Sequence, residues 1–169
     1  MYRNLAMSVA IDGNRAIGKN GKLLCHLKAD IDHFIDITRG CILVTGRKNH
    51  ESIQEKWRPL PEREEHIVLT RNLSYNAPGY RVLFGAEQIL DMAEKNPEKK
   101  IWIIGGGEIY KIFMPYASKM VITTINTTFD GCDTFFPELV GEWMVRFLFQ
   151  HSADKDNQFP FHVHEYNRV

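Results

Sequence analysis

Residues 101–113 combine residue types that suit the binding of an anion. Residues 101–104 have the β-branched and aromatic content of a buried strand, glycines fill positions 105–107, and the apolar spacing of residues 108–113 suits a helix. Glycine lacks a Cβ, so backbone can approach a ligand closely, and the first N–H groups of a helix are free to bind an anion. The segment indicates a cofactor phosphate, although a glycine run between a strand and a helix is just as often only a tight turn.

Two further strand ends repeat this arrangement with added positive charge. The segment Thr45-Gly46-Arg47-Lys48-Asn49 joins a buried strand to a helix start, and Thr70-Arg71-Asn72 places a cation after another strand. Arginine matches the geometry of phosphate oxygens, and ligands of open α/β sheets lie outside the carboxyl ends of the strands. Together the three strand ends favour a phosphate site over the alternative that both arginines are ordinary surface charges.

Asp30 is the acid best placed for proton chemistry. On a helix that begins at residue 28, it shares an apolar stripe with Leu27 and Phe34, whereas Asp32 and Asp36 point away from that stripe. A carboxylate that faces an apolar cleft has a raised pKa and can exchange protons near neutral pH. The alternative is an acid that stabilises the helix dipole or caps a backbone N–H group, and spacing alone favours it.

The other candidate motifs predict no metal site and no nucleophile. His162 and His164 alternate on a predicted strand and could share a metal ion, but no carboxylate or cysteine lies at a useful nearby spacing. A solvated strand face is therefore the favoured interpretation. The sequence has no serine nucleophile motif, and it lacks the dinucleotide fingerprint G-x-G-x-x-G, which argues against a Rossmann domain.

The composition is that of one ordinary globular domain. The chain has 169 residues, of which 44% are hydrophobic and 25% charged, so we expect residues 1–169 to form a single domain. Lys plus Arg and Asp plus Glu both total 21. No net field therefore attracts nucleic acid or an anionic membrane, and any anionic ligand must be held by a local site.

The cysteine content and the N-terminal sequence bear on the cellular compartment of the protein. Cys25, Cys41 and Cys132 are odd in number and far apart, which predicts no disulfide framework and favours a reducing cytoplasm. No apolar run approaches the ~20 residues needed to span a bilayer, and the start shows no signal-peptide pattern. We expect a monomer, because no unpaired apolar face is visible.

The hydrophobic pattern predicts strands and helices in alternation. Residues 15–26 show no clear period and are expected to form a long, functional loop. The remaining pattern predicts an α/β fold, namely a single-domain, mostly parallel central sheet with helices on both faces and a C-terminal antiparallel hairpin. The predicted strands are 5–11, 41–45, 66–70, 80–84, 101–104, 119–127, 144–151 and 159–166, and the predicted helices are 28–38, 47–53, 86–95 and 108–113.

A series of short motifs runs along residues 8–166. They are Val9-Ala10, Ile17-Gly18-Lys19-Asn20-Gly21, Leu27-x-Ala29-Asp30-x-x-x-Phe34, Gly46-Arg47, Glu51-Ser52-Ile53, Arg58-Pro59-Leu60-Pro61-x-Arg63, Ile67-Val68-Leu69-Thr70-Arg71, Ile104-Gly105-Gly106-Gly107-Glu108-Ile109-Tyr110 and Gly131-Cys132-Asp133-Thr134-x-Phe136-Pro137. By their order and spacing, the sequence resembles the dihydrofolate reductase family. The resemblance implies hydride transfer from NADPH to 7,8-dihydrofolate, which gives 5,6,7,8-tetrahydrofolate.

On the substrate side, the resemblance implies a role for each matching residue. Asp30 would bind the pterin amino group and ring nitrogen and promote protonation at N5, and Thr123 would support Asp30 through a hydrogen bond. Arg63 would pair with the glutamate α-carboxylate of the substrate, a task suited to the guanidinium fork. The implied catalytic residues are Asp30, Thr123, Tyr110 and Cys25. The implied substrate contacts are Val9, Ala10, Asp30, Ile31, Phe34, Ser52, Ile53, Arg63, Ile104 and Thr123.

On the cofactor side, the resemblance implies an NADPH site along the three strand ends. Arg47 and Arg71 would select the 2′-phosphate, and Ile104 and Tyr110 would line the junction where hydride crosses. Residues 13–24 would form a mobile lid that excludes water, with Asp133 helping to hold it closed. The implied cofactor contacts are Ala10, Ile17, Gly18, Gly46, Arg47, Lys48, Asn49, Leu69, Thr70, Arg71, Ile104, Gly105, Gly106, Gly107, Glu108, Ile109 and Tyr110.

The departures from the family pattern cluster around the lid and the pterin. Leu24-Cys25 stands where the family has Pro-Trp, so an indole N–H donor is replaced by a weak thiol donor. Lys28 replaces a proline, His50 replaces an aromatic residue, and Cys132 splits a Gly-Asp pair. Residues 54–57 lengthen one segment. These changes predict slower turnover or altered antifolate binding rather than lost activity.

Two other functions remain possible on the sequence alone. A pteridine- or riboflavin-pathway reductase on the same fold would lack the helix acid and the glutamate-binding arginine, so Asp30 and Arg63 argue against it. A cofactor-binding relative without catalysis is slightly favoured by Leu24-Cys25, but Asp30, Tyr110 and Thr123 argue against it.

Overall fold

The computed structural model describes residues 1–53 and 59–169. Its strands are β1 (Tyr2–Ile11), β2 (Ala16–Gly18), β3 (Ile42–Gly46), β4 (Glu65–Leu69), β5 (Arg81–Leu83), β6 (Ile101–Ile103), β7 (Ala117–Ile125), β8 (Thr134–Phe135), β9 (Trp143–His151) and β10 (Phe161–Arg168). Its helices are α1 (Lys28–Ile37), α2 (Arg47–Ser52), α3 (Ala86–Lys95) and α4 (Gly107–Phe113).

Eight strands form one central sheet in the order β5-β4-β3-β6-β1-β7-β10-β9. The pairs from β5 to β7 are parallel, while β10 runs antiparallel to both β7 and β9. The prediction of a mostly parallel sheet that ends in an antiparallel hairpin is confirmed.

Alternate residues of the strands contribute to two hydrophobic clusters, one on each face of the sheet. On β1, Leu5 and Met7 belong to the first cluster and Ala6 belongs to the second. Helices α3 and α4 add Ile89 and Phe113 to the first cluster, and α1 packs against the second. The helices therefore cover both faces, as predicted. Burial on both faces also explains why β3 is buried at every residue.

Helix α1 is only partly covered by the rest of the protein. None of its residues is fully buried, and Ile31, Phe34 and Ile35 on its apolar stripe are all half-buried. A helix packed into a closed core would bury this stripe completely. One side of α1 is therefore partly open to solvent.

Strands β2 and β8 were not predicted. They form a separate two-stranded sheet in which Ala16 pairs with Phe135 and Gly18 with Thr134. Residues 16–18 thus form a strand inside the segment that was predicted to be only a loop. Strands of two and three residues are too short for an alternating hydrophobic pattern, so the sequence carried no periodic signal for them. No helix in the described ranges is long and apolar enough to cross a membrane.

Candidate active site

The carboxyl ends of four parallel strands form one edge of the sheet. Strands β4, β3, β6 and β1 are neighbours in that order, so the segments that follow them lie side by side. The segment after β4 begins at Thr70, the one after β3 begins at Arg47, and the glycine turn follows β6. The three strand ends that the sequence singled out are therefore adjacent in space.

The glycine turn is tied directly to the end of β3. Gly46 N–H donates to the Gly105 carbonyl at 2.7 Å, and the Thr45 hydroxyl donates to the same oxygen at 3.2 Å. Gly105 has a φ of +105°, and a Cβ there would lie 3.0 Å from the Tyr110 ring. Both the backbone conformation and the close approach of Tyr110 require glycine at this position.

Gly46 allows helix α4 to pack closely against the end of β3. A Cβ on Gly46 would lie 2.6 Å from Cγ1 of Ile109, which is closer than carbon atoms can approach. Ile109 N–H and Tyr110 N–H both donate to the Gly106 carbonyl and so begin helix α4 at the sheet edge. The start of α4 is thus fixed beside β3 and β6, where a ligand phosphate could meet its first N–H groups.

The cations expected to bind phosphate are present at this edge. The Arg47 guanidinium contacts both Glu51 carboxylate oxygens, at 3.0 and 3.2 Å, and lies 6.0 Å from the Tyr75 ring centroid. Lys48 and Arg71 are exposed. These three residues make the edge cationic in a protein of zero net charge, with Glu51 offsetting part of the Arg47 charge.

Other polar residues of the predicted cofactor set have roles within the fold. The Asn49 amide donates to the Thr45 hydroxyl at 2.8 Å and to the Ile104 carbonyl at 3.0 Å, so it joins the ends of β3 and β6. The Thr70 hydroxyl accepts from Asn72 N–H at 3.1 Å. Glu108 is exposed, and its carboxylate would repel a phosphate, so only its backbone N–H suits an anion.

Asp30 lies between α1 and the sheet. The hydroxyl of Thr123, a buried residue on β7, donates to Asp30 Oδ1 at 2.5 Å. Burial raises the pKa of Asp30, and the Thr123 hydrogen bond and a nearby His33 act in the opposite direction without reversing it. The N-cap of α1 is Leu27, with no side-chain cap bond. Asp30 is therefore a partly buried acid that faces the sheet, not a capping residue.

Tyr110 and Cys25 carry protons close to Asp30. The buried Tyr110 hydroxyl donates to the Ser8 carbonyl at 2.6 Å, and burial together with the Asp30 charge raises the pKa of this phenol. Burial raises the pKa of the half-buried Cys25 thiol to about 11, with a further contribution from Asp30. Both groups are neutral at physiological pH, whereas the raised pKa of Asp30 lets its carboxyl group hold a proton at higher pH than an exposed aspartate can.

Apolar side chains from several elements belong to the predicted site. Val9 and Leu69 are buried at the ends of their strands. The Ser52 hydroxyl donates to the Asn49 carbonyl at 2.7 Å, so it stabilises α2. The remaining members of the predicted set are half-buried and so keep surface for a ligand: Ala10, Ile17, Ile31, Phe34, Ile53 and Ile104.

Arg63 lies beside the last turns of α1. Its guanidinium donates to the Ile35 carbonyl at 2.8 Å and to the Pro61 carbonyl at 2.9 Å. Its Nε is buried, and no partner for it occurs within residues 1–53 and 59–169. The guanidinium is therefore oriented by backbone oxygens and keeps an unused donor. Residues 54–57 and Arg58, which the sequence analysis also singled out, lie outside the described residues.

The predicted lid contacts the segment that contains Asp133. Asn20 N–H donates to the Asp133 carboxylate at 2.7 Å, and Asp133 N–H donates to the Gly18 carbonyl at 3.3 Å. The Lys19 ammonium donates to the Asp130 carbonyl at 2.7 Å. These bonds hold residues 18–20 against the segment that leads into β8.

Two residues near the site were missed by sequence reasoning. His33, one turn after Asp30, packs edge-on against Phe149 with ring centroids 5.0 Å apart. Asp12 is buried, and its carboxylate accepts from the N–H groups of Asn14, Ala16 and Phe129, which anchors the base of the lid. The i+3 spacing from Asp30 was a visible signal for His33, whereas the partners of Asp12 depend on the fold.

The two histidines of β10 interact with each other and with a neighbouring amide. The rings of His162 and His164 are 5.1 Å apart, and His162 Nδ1 lies 2.9 Å from Asn126 Oδ1. No group of three or more histidine, cysteine or acidic residues suited to a metal occurs in the described part of the chain.

The fold and the site together define a class of protein. It is an α/β protein built on one large central sheet, with a glycine-lined, cationic edge suited to an anionic nucleotide and a partly buried acid on helix α1. Comparison with known proteins then identifies the family. The family model described as dihydrofolate reductase matches residues 4–168. The chain therefore belongs to the dihydrofolate reductase family.

Individual relatives agree with this assignment over nearly their whole length. A dihydrofolate reductase of Staphylococcus haemolyticus is 31% identical over 169 residues, covering 99% of this chain and 98% of the relative. One of Haemophilus influenzae is 38% identical over 155 residues, covering 91% and 92%. A solved structure of dihydrofolate reductase from Enterococcus faecalis, complexed with NADP(H) and RAB-propyl, has a TM-score of 0.84 and 35% identity, covering 99% of each chain.

Proposed function

We propose that this protein reduces 7,8-dihydrofolate to 5,6,7,8-tetrahydrofolate, with hydride from NADPH and a proton from solvent. The observation that carries the proposal is the Asp30–Thr123 pair, in which a partly buried acid on helix α1 accepts a hydrogen bond from a buried hydroxyl of the central sheet. The reaction adds a hydride to one carbon of the pterin and a proton to N5. A site for it therefore needs a hydride donor and a group that favours protonation, placed side by side.

The proton side of the reaction depends on Asp30. Its carboxylate is of the right type to accept hydrogen bonds from the pterin amino group and ring nitrogen, and its Thr123 partner fixes its orientation. Because burial raises the pKa of Asp30, the carboxyl group can hold a proton closer to neutral pH than an exposed aspartate can. Asp30 would thereby promote protonation of N5.

The residues at the sheet edge fit NADPH, which supplies the hydride when bound. Gly105 and Gly106 have no side chain, and a Cβ on Gly105 would lie only 3.0 Å from the Tyr110 ring. Arg47 and Arg71 provide cations for the 2′-phosphate that distinguishes NADPH from NADH. Ala10, Ile17 and Gly18 would lie against the nicotinamide half. The half-buried Ile104 would line the crossing point between cofactor and substrate.

The substrate would extend from Asp30 towards Arg63. Ile31, Phe34 and Ile53 offer half-buried apolar surface for the pterin and benzoyl rings. Arg63 has a buried Nε that lacks a partner within the described residues, and a carboxylate is the ligand that suits such a donor. We assign it to the glutamate α-carboxylate. The lid over residues 13–24 would exclude water while Asp133 holds it in place.

The remaining proposals concern the setting of the protein. Zero net charge gives no basis for nucleic-acid binding, and three free cysteines suit a reducing cytoplasm. We propose a cytoplasmic monomer whose partners are the substrate and the cofactor.

The decisive experiment follows NADPH absorbance with and without dihydrofolate. We expect oxidation only when dihydrofolate is present, and a decrease of about 100-fold at neutral pH in Asp30→Asn. Asp32→Asn is the matched control, because Asp32 is an exposed carboxylate of the same helix that pairs with Lys28. A protein that binds NADPH without oxidising it would instead be a non-catalytic relative. Oxidation with another pteridine but not with dihydrofolate would indicate a different reductase.

A further inference from the structure

The first turn of helix α1, which carries Asp30, is capped by a residue from the other end of the chain. The N-cap position is occupied by Leu27, which is buried in the second hydrophobic cluster and has no side-chain atom that could accept a hydrogen bond. Asn157 supplies the acceptor instead, because Ala29 N–H donates to its Oδ1 at 2.9 Å. Ala29 is the second residue of the helix, and an N-cap side chain normally bonds at this point. Asn157 therefore does for α1 what a serine or an aspartate at position 27 would otherwise do.

Both polar atoms of the Asn157 side chain are bonded, which fixes its orientation. Its Oδ1 accepts from Ala29 N–H, and its Nδ2 donates to Asp154 Oδ1 at 2.8 Å. The same carboxylate oxygen accepts from Asn157 N–H at 2.8 Å. A rotated amide would place its NH2 group against Ala29 N–H and its oxygen against a carboxylate, so only one orientation is satisfied. Asn157 is also only 3% exposed, so it forms a rigid support for the helix start.

The loop that carries this amide joins the two strands at the antiparallel end of the sheet. It covers residues 152–160, between β9 and β10. Its backbone also contacts α1, since Lys28 N–H donates to the Asp156 carbonyl at 3.2 Å. Shortly after the loop, β10 pairs with β7 alongside Thr123. One hairpin therefore contacts both the helix that carries Asp30 and the strand that carries Thr123.

The hydrogen bond between Asp30 and Thr123 depends on how these two elements are placed. Asp30 follows Ala29 directly in the first turn of α1, and the Thr123 hydroxyl donates to Asp30 Oδ1 at 2.5 Å. The first turn is where a helix frays when its N–H groups lack partners. Fraying there would move the Asp30 backbone, and a hydrogen bond weakens steeply as its geometry departs from the optimum.

We propose that Asn157 is a positioning residue of the acid site: by capping the first turn of α1, it holds the Asp30 carboxylate against Thr123. It acts only through the backbone of α1 and is not itself a reacting group. A carboxylate displaced from Thr123 would no longer lie where it is proposed to meet the pterin amino group and ring nitrogen, and small displacements at a reacting centre lower the rate. Only this effect on turnover rests on the proposed function.

Unfolding of the free protein by urea tests whether Asn157 and Thr123 act together. Asn157→Ala removes the cap, and Thr123→Val removes the hydroxyl while keeping the shape of the side chain. If the cap holds Asp30 against Thr123, part of its effect is lost when the hydroxyl is absent. We expect Asn157→Ala to raise the equilibrium constant of unfolding roughly tenfold in the wild type and roughly threefold in Thr123→Val.

Asn4→Ala is the matched control. The Asn4 amide also closes a helix end across the sequence, because it donates to the Ala93 and Asn96 carbonyls, both at 3.0 Å, at the end of α3. Helix α3 packs on the other face of the sheet from α1, so Asn4→Ala should have the same effect with and without the Thr123 hydroxyl. Equal effects of Asn157→Ala in the two backgrounds would overturn the proposal, whether or not the protein is a reductase.

Single-turnover reduction of dihydrofolate at saturating NADPH measures the effect on the reaction. We expect Asn157→Ala to lower the rate roughly fivefold in the wild type but to cause no further decrease in Thr123→Val, where Asp30 has already lost its partner. Asn4→Ala should leave the rate unchanged. If Asn157→Ala lowers stability without lowering the rate, the cap serves only the fold and the proposal is wrong.

A paired exchange tests the acceptor itself. Asn157→Asp retains an oxygen for Ala29 N–H but places a second carboxylate beside Asp154, whereas adding Asp154→Asn restores one donor and one acceptor between the two side chains. We expect the double variant to recover the rate to within about twofold of the wild type. A folded double variant that is as slow as Asn157→Ala would show that the acceptor at Ala29 N–H does not position Asp30.

Discussion

At the level of single residues, Asp30 links function to stability. The pKa of this carboxyl group is raised by burial, so the folded protein binds its proton more tightly than the unfolded chain does. The contribution of this group to the free energy of unfolding is therefore largest at pH values below the ordinary pKa of aspartate. The contribution is lost as the pH rises through the folded-state pKa, because an anion must then be kept buried. A site that needs a poised acid thus carries a stability cost at neutral and alkaline pH.

Replacing Asp30 with asparagine should stabilise the protein in a pH-dependent way. The amide still accepts the Thr123 hydrogen bond but carries no charge. We expect a gain of about 1 kcal/mol at pH near 8, or roughly 2–4 °C in the midpoint of thermal unfolding, that diminishes towards pH near 4. Thermal unfolding at several pH values measures it. Asp32→Asn, at an exposed site, should show no such trend, and an equal gain at all pH values would refute the explanation.

Cys25 provides a second test at the residue level. Its pKa of about 11 keeps the thiol protonated, so the group next to Asp30 is a weak donor rather than an anion. The dihydrofolate reductase family has a tryptophan here, whose N–H serves a water network near the pterin. Restoring one such hydrogen bond is worth about 1 kcal/mol, so Cys25→Trp should raise turnover or pterin affinity roughly fivefold. Cys25→Phe supplies the ring without the donor and is the matched control. Identical steady-state kinetics for the two variants would contradict the role of the indole.

At the level of elements, the structure shows which sequence patterns are sufficient to predict a helix or a strand. Helix α3 was predicted at its observed bounds because its apolar residues, such as Ile89 and Ala93, recur at helical spacing. Strand β3 was recognisable as a continuous apolar run, which is typical of a strand buried on both faces. Strands β2 and β8 form because residues distant in sequence pair with each other, so no local sequence pattern predicts them.

The same distinction applies to the site. The sequence pointed to Asp30 and to the glycine turn because a helical stripe and a strand–glycine–helix order are local patterns. The pairing of Asp30 with Thr123 spans 93 residues, and family resemblance rather than spacing suggested it. Three N–H groups donate to the Asp12 carboxylate. The complete set could be known only from the fold, because one donor belongs to Phe129, which is distant in sequence.

The lid gives a prediction at the level of elements. Asp133 accepts from Asn20 N–H, and this bond is the main cause of the lowered pKa of Asp133. A lowered pKa means that the contact persists at neutral pH and is lost only as the pH falls through the folded-state pKa. Asp133→Ala should loosen the lid, slow hydride transfer roughly threefold and speed cofactor release. Stopped-flow measurements of both rates test this.

The control for the lid is Asp130→Asn, because the backbone oxygen of Asp130, and not its carboxylate, accepts from Lys19. This variant should keep both rates. If Asp133→Ala also keeps them, the contact with Asn20 N–H does not hold the lid during the reaction.

At the level of the whole molecule, one sheet serves both halves of the site. The parallel strands β4, β3, β6 and β1 bring the cationic and glycine-lined turns to one edge, while β7 carries Thr123 to Asp30. The hydride and proton sides of the reaction are thus fixed to one rigid element. Ligand binding at this edge should therefore stabilise the whole domain, because strands from distant parts of the chain contribute to it.

Because NADPH is expected to bind only the folded protein, it should change thermal unfolding by an amount that can be predicted. At a concentration about 100 times its Kd, NADPH should stabilise the protein by about 2.7 kcal/mol, or roughly 5–10 °C. NADH at the same concentration should have a much smaller effect, because it lacks the phosphate that Arg47 and Arg71 are expected to bind. The double variant Arg47→Ala/Arg71→Ala should remove most of the difference between the two nucleotides. Arg39→Ala, at an arginine that pairs with Glu62, should preserve it. Equal stabilisation of the wild type by NADPH and NADH would show that these arginines do not select the cofactor.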